Sequence, residues 1–503
     1  MRLFQLAAHY GSGMIFQRGR PILIEGEAFV SCEIMAKLGG DTKCVTISPG
    51  AFNLELPARD ADRGVTFTVS AKHCDGEAEH TETVEFSDIY IGEVWIAGGQ
   101  SNMQWHVCDT DEFRQNPVIK VNEDLRFYSV GRNVVTSPCE LDEGYEWAFS
   151  ADYGWAGCNE ESAPRFSAVA YYFAHTLYDA IKVPIGIINC NVGGSSIYSW
   201  IPEDDMKENP EIKHIWEAQS KELAETDAAL ARLKYHQHLD GMKAEDIGNN
   251  VVTQEGELGT VYYDEPGPYR YHWLGILYKS MLKRVSAFPA RGMLWYQGET
   301  ESWNEGGKCY ASALESLVGV MKRRQNDPDF AFNYIQLAPF DNPDLNLWAT
   351  VCDQMRKFML NHPDYAMITI GDVGCAKDIH PPQKRALGER LAYAAMHRSY
   401  DINREFTGPI AEKANRIGDE VCISFIHAKG LHQRPLNPGR FELVYDDGTV
   451  VTPTPEIRDD AVFLPLPEGP TPQYVRYEFV PCPQIGLFNY VGLPASLFEL
   501  SVE

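Results

Sequence analysis

The sequence predicts an α/β chain in which a parallel sheet covered by helices is flanked on both sides by β-rich regions. Three observations carry this expectation. Short β-branched runs alternate with helical-period segments through the middle of the chain, residues 20–87 read as short strands between turn clusters, and residues 404–503 repeat that β character. At 503 residues the chain exceeds one ordinary core, because cores stop growing near ~250 to 300 residues. The expected division is an N-terminal β-sandwich region at 1–87, an α/β domain at 88–403 and a C-terminal β region at 404–503.

Taken in order, residues 65–71 alternate with period two and residues 32–38 nearly do, with turns at 39–41, 48–50 and 59–64. The middle region predicts strands at 93–97, 185–190, 293–296, 332–337 and 366–370. Helices are predicted near 167–181, 274–285, 311–324, 347–361 and 383–397. Segment 203–270 breaks this rhythm with an acidic stretch and a helical-looking run at 211–238, and reads as an insertion holding a packed helix. Residues 421–426, 441–445, 461–464 and 474–479 are the candidate strands of the last region.

Composition excludes several classes. A chain with 44% hydrophobic, 12% aromatic and 23% charged residues folds rather than staying disordered. Its net charge of −27 repels nucleic-acid phosphates and anionic lipid. Neither is an expected partner. No run approaches the ~18 apolar residues of a bilayer span, and the N-terminus lacks a signal-type apolar segment. The 12 cysteines are dispersed with no C-x-x-C pair, so neither a zinc site nor a redox motif is signalled, and no N-x-S/T sequon occurs. A cytoplasmic protein is expected, or a secreted one if a leader has been removed. No metal or cofactor is expected, and the oligomeric state is not legible.

In parallel sheets, ligands gather at the carboxyl ends of the strands. After the first central strand comes Gly98-Gly99-Gln100-Ser101-Asn102-Met103, whose glycines permit a tight turn exposing a serine hydroxyl. Alone, such a serine is most often a helix N-cap, and Met103 stands where the G-x-S-x-G elbow needs glycine. After the last central strand comes Asp378-Ile379-His380-Pro381. A serine nucleophile needs a base within ~2.6 to 3.2 Å and that base an acceptor on its other nitrogen, so Ser101, His380 and Asp378 supply the three groups. Two further strand ends, Asn191-Val192-Gly193-Gly194 and Gln297-Gly298-Glu299, offer backbone N–H groups and an amide as oxyanion donors.

Together, Val94 to Met103, Asn191 to Gly194, Trp295-Tyr296-Gln297-Gly298-Glu299 and Asp378 to Pro381 resemble the sialate O-acetylesterase and acetylxylan-esterase-like group of SGNH hydrolases. Met14 to Arg18 and Asn489 to Ala495 resemble that group's flanking β regions. The resemblance implies a flavodoxin-like SGNH core and a serine carbohydrate O-acetylesterase. Ser101 would be the nucleophile and His380 the general base. The oxyanion hole would be the Ser101 N–H, Gly194 and Gln297, with Gly193 as fallback. The group's usual acid lies three residues before the histidine, where this chain has Lys377. Asp378 is therefore the first choice for the third member, Asp372 the second, and a dyad aided by a backbone carbonyl the third.

Trp105, Trp200, Tyr296 and Trp303 lie near these turns and could stack on sugar rings. Gln100, Asn102 and Glu299 complete the candidate substrate-binding set. The partner expected is an acetylated oligosaccharide. The acidic field favours neutral xylo- or manno-oligosaccharides over O-acetylated sialic acid. A glycoside hydrolase using Glu299 and Asp378, or a non-catalytic carbohydrate-binding protein, is the alternative. A histidine base with its reference pKa would make activity fall around pH 6 to 7.

Overall fold

The computed structural model describes residues 2–131, 152–225 and 274–503, apart from 343, 436 and 438. Most of the expected insertion, and the second half of the predicted 211–238 helix, lie outside the described residues. Its described part is helical at Glu203–Glu208 and Lys213–Glu225.

The central sheet holds β1 (Ala78–Gly99), β2 (Asn122–Ser129), β3 (Tyr153–Cys158), β4 (Ile185–Asn191), β5 (Gly292–Tyr296), β6 (Ala331–Ile335) and β7 (Ala366–Ile368). Their order across the sheet is β3-β2-β4-β1-β5-β6-β7. All neighbours pair in parallel except β3, which runs antiparallel to β2 at the edge. Strands β4 and β5 are buried along their whole length, which is why their sequences read as continuous apolar runs rather than alternating ones. Short helix α1 (Ser101–Gln104) follows β1; the larger helices are α2 (Ala168–Ile181), α3 (Tyr310–Gln325), α4 (Trp348–Asn361) and α5 (Arg385–Ser399). Helix α2 starts where the Ser167 hydroxyl accepts from the Ala170 N–H at 3.2 Å, and stops at Lys182, whose φ of 53° is left-handed. The predicted helix near 274–285 contains a π-helical turn at Tyr278–Leu282 before closing as α-helix at Lys283–Val285.

Strand β1 is 22 residues long and changes character along its length. Its first half runs through exposed and half-buried residues and pairs antiparallel with Asp62–Asp75; from Ile89 onward every residue is buried, with β4 alongside from Glu93 and β5 from Trp95. The boundary expected at 87/88 therefore falls inside one strand, at Asp88, which takes φ 57°. The other N-terminal strands form an antiparallel sheet of Phe4–Leu6, Ile22–Ala28 and Gly50–Leu56, with Cys32–Leu38 pairing both Asp41–Ile47 and Asp62–Asp75. At the other end, two four-stranded antiparallel sheets share a separate apolar core that includes Val421, Leu464, Phe441, Val475, Tyr477 and Phe498. That region is tied to the central domain by Arg356, buried on α4, whose Nη1 donates to the Ala411 carbonyl at 2.6 Å.

The end of β1 is sterically tight. A Cβ on Gly98 would fall on Met293, and one on Gly99, whose φ is +136°, would fall on the Tyr296 carbonyl of β5. Neither clash can be relieved by rotating a surface side chain, so the chain turns here on glycine. Gly99→Ala is expected to destabilise the protein by roughly 2 to 4 kcal/mol, read as a lower urea midpoint. Gly40→Ala, where a Cβ meets nothing within 4 Å, should stay within about 0.5 kcal/mol of the parent.

Candidate active site

Because β1 lies mid-sheet, with β4 and β5 on either side, its carboxyl end is the place where the strand order reverses, the position at which ligands gather in such sheets. Residues Cys190 and Asn191 of β4 and Trp295 and Tyr296 of β5 pair with Gly98 and Gly99 in register. The turns after the three strands therefore leave the sheet at one level. Gln100 is extended (φ −118°, ψ −153°), and Ser101 opens α1 directly behind it.

His380 reaches this point from the long loop after β7, and its Nε2 lies 2.8 Å from the Ser101 Oγ. At that separation the two are within hydrogen-bond reach, and an imidazole whose Nε2 carries no proton accepts from the hydroxyl. Trp105 stacks on the imidazole with ring centroids 5.3 Å apart and planes 25° apart. Burial, reinforced by the nearby Lys384 ammonium and opposed by the Asp378 carboxylate, lowers the His380 pKa to about 4. The acidic fall of activity is therefore expected below the pH 6 to 7 of a reference histidine.

The third member of the expected triad is placed differently from the sequence reading. Asp378 Oδ1 accepts from the backbone N–H of His380 at 2.8 Å rather than from the ring. Two residues of separation let the carboxylate fold back onto the turn. Asp372 is held by Arg390 in a bidentate pair at 2.8 and 2.7 Å. Neither carboxylate makes a hydrogen bond to the imidazole.

Asn102 was expected to touch substrate, but it is buried with its carboxamide fully engaged. Its Nδ2 donates to Glu299 Oε1 at 2.6 Å and to the Ile379 carbonyl at 2.9 Å, while its Oδ1 accepts from Lys384 Nζ at 2.5 Å. The residue after Ser101 is thereby bonded to the residue before His380. Glu299 is likewise buried, and burial raises its pKa. Lys384 has no exposed surface, and burial, opposed by Glu299 and Asp378, lowers its pKa to about 7. The sequence reading missed Lys384; a lone lysine at a helix start carries no signal of burial.

The expected oxyanion donors divide. The Gly193 N–H donates to Gln104 Oε1 at 2.8 Å, which removes the fallback. The next residue, Gly194, takes φ +69°, and neither its N–H nor that of Ser101 has an acceptor among the described residues. Gln297 is corrected. Fully buried, its Nε2 donates to Gln100 Oε1 at 3.2 Å and the Ser195 carbonyl at 3.0 Å and also contacts Glu301 Oε2, while its Oε1 accepts from Tyr310 at 2.8 Å. An amide so engaged has no proton left for a substrate oxygen. Gln100 belongs to the same staple: its buried amide oxygen accepts from Gln297 and from the Gly298 N–H at 3.4 Å. Glu301, also missed, accepts from the Ile197 N–H at 3.0 Å and so holds the turn after β4.

The aromatic candidates divide too. Trp200 and Tyr296 are core residues, Trp200 lying edge-on to Trp295 at 6.1 Å with its Nε1 donating to Ser195 Oγ at 3.0 Å. Neither can meet a sugar. Trp105 is half-buried against His380, and Trp303 is 54% exposed. Among the described residues, potential metal ligands cluster at His106, Cys108 and Asp109, whose ligand atoms lie within 4.8 Å of one another downstream of Trp105.

A direct check of this electrostatic environment is NMR titration of His380. The ring should stay neutral at pH 6 and protonate near pH 4, whereas a midpoint near 6.5 would mean that it is not buried beside a cation.

Residues 245–397, which include Gln297, Glu299, His380 and Lys384, match the family model of carbohydrate esterase, sialic acid-specific acetylesterase. The mouse sialate O-acetylesterase is 22% identical over 402 residues, covering 76% of this chain and 70% of its own length. The rat sialate O-acetylesterase is 22% identical across 88% of this chain and 82% of its own. The human sialate O-acetylesterase, also 22% identical, aligns over 72% of this chain and 64% of its own. In three dimensions, a carbohydrate acetylesterase from Xanthomonas citri shares the fold over 99% of this chain and 100% of its own, with a TM-score of 0.77 at 24% identity. The family match over residues 245–397 and the relatives make this chain similar to sialate O-acetylesterases and support a carboxylic-ester hydrolase, and the Xanthomonas citri structure shows that the fold is shared along the whole chain.

Proposed function

We propose that the chain is an SGNH-type serine O-acetylesterase that removes acetyl groups from saccharides through an acetyl-enzyme. The observation that carries this reading is the 2.8 Å contact between Ser101 Oγ and His380 Nε2 at the carboxyl end of the central strand. Ser101 Oγ attacks the acetyl carbonyl as His380 takes its proton. The developing oxyanion is received by the N–H groups of Ser101 and Gly194, each such donor contributing about 10² to 10³ in rate. Gln104 holds the turn next to this hole by accepting from the Gly193 N–H. His380 then gives that proton to the departing sugar oxygen, which leaves as a hydroxyl, and takes one from the water that attacks the acetyl-enzyme, releasing acetate and restoring the Ser101 hydroxyl. Asp378 acts by its charge and by holding the His380 turn, without a bond to the imidazole.

Trp303, exposed at the end of the turn that follows Glu299, is the proposed platform for a sugar ring. The net charge of −27 favours a neutral acetylated xylo- or manno-oligosaccharide over anionic O-acetylated sialic acid. The paired-carboxylate reading loses its support, because Glu299 is buried and bonded to Asn102.

Ser101→Ala should abolish acetate release from p-nitrophenyl acetate and from acetylated xylo-oligosaccharides, by ~10³-fold or more; full retention would refute the serine mechanism. In the wild type, kcat/KM should hold down to pH 5 and fall through a pH of about 4 as His380 takes up a proton and can no longer accept one. Asp378→Asn keeps an acceptor for the His380 N–H and should cost about tenfold, well short of the ~10⁴ of a triad aspartate. Asp378→Ala, which unhooks the turn, should cost more. A loss near 10⁴ for Asp378→Asn would reassign the carboxylate to the imidazole.

A further inference from the structure

Beneath the Ser101–His380 pair lies a buried cation that the hydrolytic steps above do not use. Lys384 stands at the start of α5, without exposed surface, its Nζ 5.6 Å from the ring centres of both Trp105 and Tyr296. An ammonium in such a place is costly unless anions and dipoles face it. Among the described residues its ammonium donates to Asn102 Oδ1 alone, and beyond the carboxamide lies Glu299, whose Oε1 accepts from Asn102 while its buried Oε2 has no partner among them. Lysine, carboxamide and carboxylate thus form a row of alternating polarity.

The direction of that row has a consequence. A cation on one side and an anion on the other fix which end of the Asn102 carboxamide faces which. Turning it over would aim its N–H groups at the ammonium and its oxygen at the carboxylate. In the fixed orientation, Nδ2 also reaches the Ile379 carbonyl at 2.9 Å. Asn102 follows Ser101 and Ile379 precedes His380, so this bond sets how far apart the hydroxyl and imidazole stand. We propose that Lys384 is a positioning residue that, through Asn102, holds Ser101 and His380 in register and sets its ammonium against the Trp105 ring that stacks on the His380 imidazole. The proposal rests on Ser101 and His380 being nucleophile and base.

The groups facing His380 are Ser101 and Trp105 from α1 and the residue after it, Asp378 from its own loop, and Lys384 from the start of α5. Asp378 favours the imidazolium and Lys384 opposes it. Lys384 itself is buffered by Glu299 and Asp378, and with a pKa of about 7 it is charged wherever His380 titrates. Removing the lysine therefore moves the acidic edge of the rate profile upward, a result that mere loosening of the site would not produce.

The experiment compares Lys384→Met and Glu299→Gln with the wild type, using p-nitrophenyl acetate across pH 3.5 to 9 (about the range in which the imidazole and the buried amine change charge). Lys384→Met should lower kcat roughly 10- to 100-fold with KM little changed, and raise the acidic limb by about one pH unit. Glu299→Gln keeps an acceptor for Asn102 and leaves the ammonium in place, so its limb should stay where the wild type's is. The proposal is overturned if Lys384→Met keeps wild-type kcat and limb, or if Glu299→Gln moves the limb equally. Should Lys384→Met fail to fold, the Lys384→Met/Glu299→Gln double variant carries no buried net charge and is read the same way. A wild-type limb at pH 6 to 7 overturns the proposal whatever the variants do. Ser101→Ala in the same series separates the two ideas: if it stays active the nucleophile reading fails, whereas an inactive Ser101→Ala beside a wild-type-like Lys384→Met sinks the lysine's role alone.

Discussion

The Asn102 carboxamide is the junction on which the rest of the site depends. Three segments far apart in sequence meet at it: the turn after β1, the turn after β5 through Glu299, and the loop after β7 through Ile379 and Lys384. Each bond is short and sheltered from water, and three of them act on one planar group. Such a junction behaves as a rigid spacer, because a shift in any arm must break a buried hydrogen bond and leave its partner unsatisfied. The 2.8 Å contact between Ser101 and His380 is one output of that geometry.

Beneath the junction a second polar layer joins the strand ends. Gln297 links the turns after β1 and β4, Glu301 accepts from the backbone at Ile197, and the Tyr310 hydroxyl donates to the amide of Gln297. Residues that look like ligand-binding groups when read along the chain are here the mortar between turns. Their burial is also why the Glu299 and Glu301 carboxyls are pushed upward. An interior so rich in polar groups stabilises only when nearly every member is bonded, and the unpartnered Glu299 Oε2 and Tyr296 hydroxyl mark where it is not. Apolar residues could fill the same volume at lower cost, so the layer is better understood as a device for holding turns at fixed separation than as a source of stability.

The flanking regions bear on this site through the frame. Strand β1 is continuous from the N-terminal antiparallel sheet to Gly99, so that sheet and the mouth of the crevice share one backbone. On the opposite side, Thr369, at the start of the loop that carries His380, donates through its hydroxyl to the Pro494 carbonyl of the C-terminal region at 2.7 Å. The loop is thus anchored near its origin by one region and near its tip by Asn102, which is how a 16-residue excursion from β7 can present a side chain at a defined point above β1.

What the sequence by itself determined was local: the strand and helix rhythm of the middle region, the glycine turn at 98–99, the helix start at Ser167, and the chemical types at residues 101 and 380. These follow from side-chain periodicity and backbone sterics, which act between near neighbours. Bonding partners were decided only in three dimensions, because they depend on which turns converge and on what is left in contact with water. Sequence could not tell that the Gln297 amide would be consumed by Ser195 and Gln100, that Trp200 and Tyr296 would face the core while Trp303 faced solvent, or that Asp378 would bond a backbone N–H. Lys384 is the clearest instance. Along the chain it is an ordinary cation before a helix, and only the closing of the crevice over it turns its charge into a force on the neighbouring imidazole.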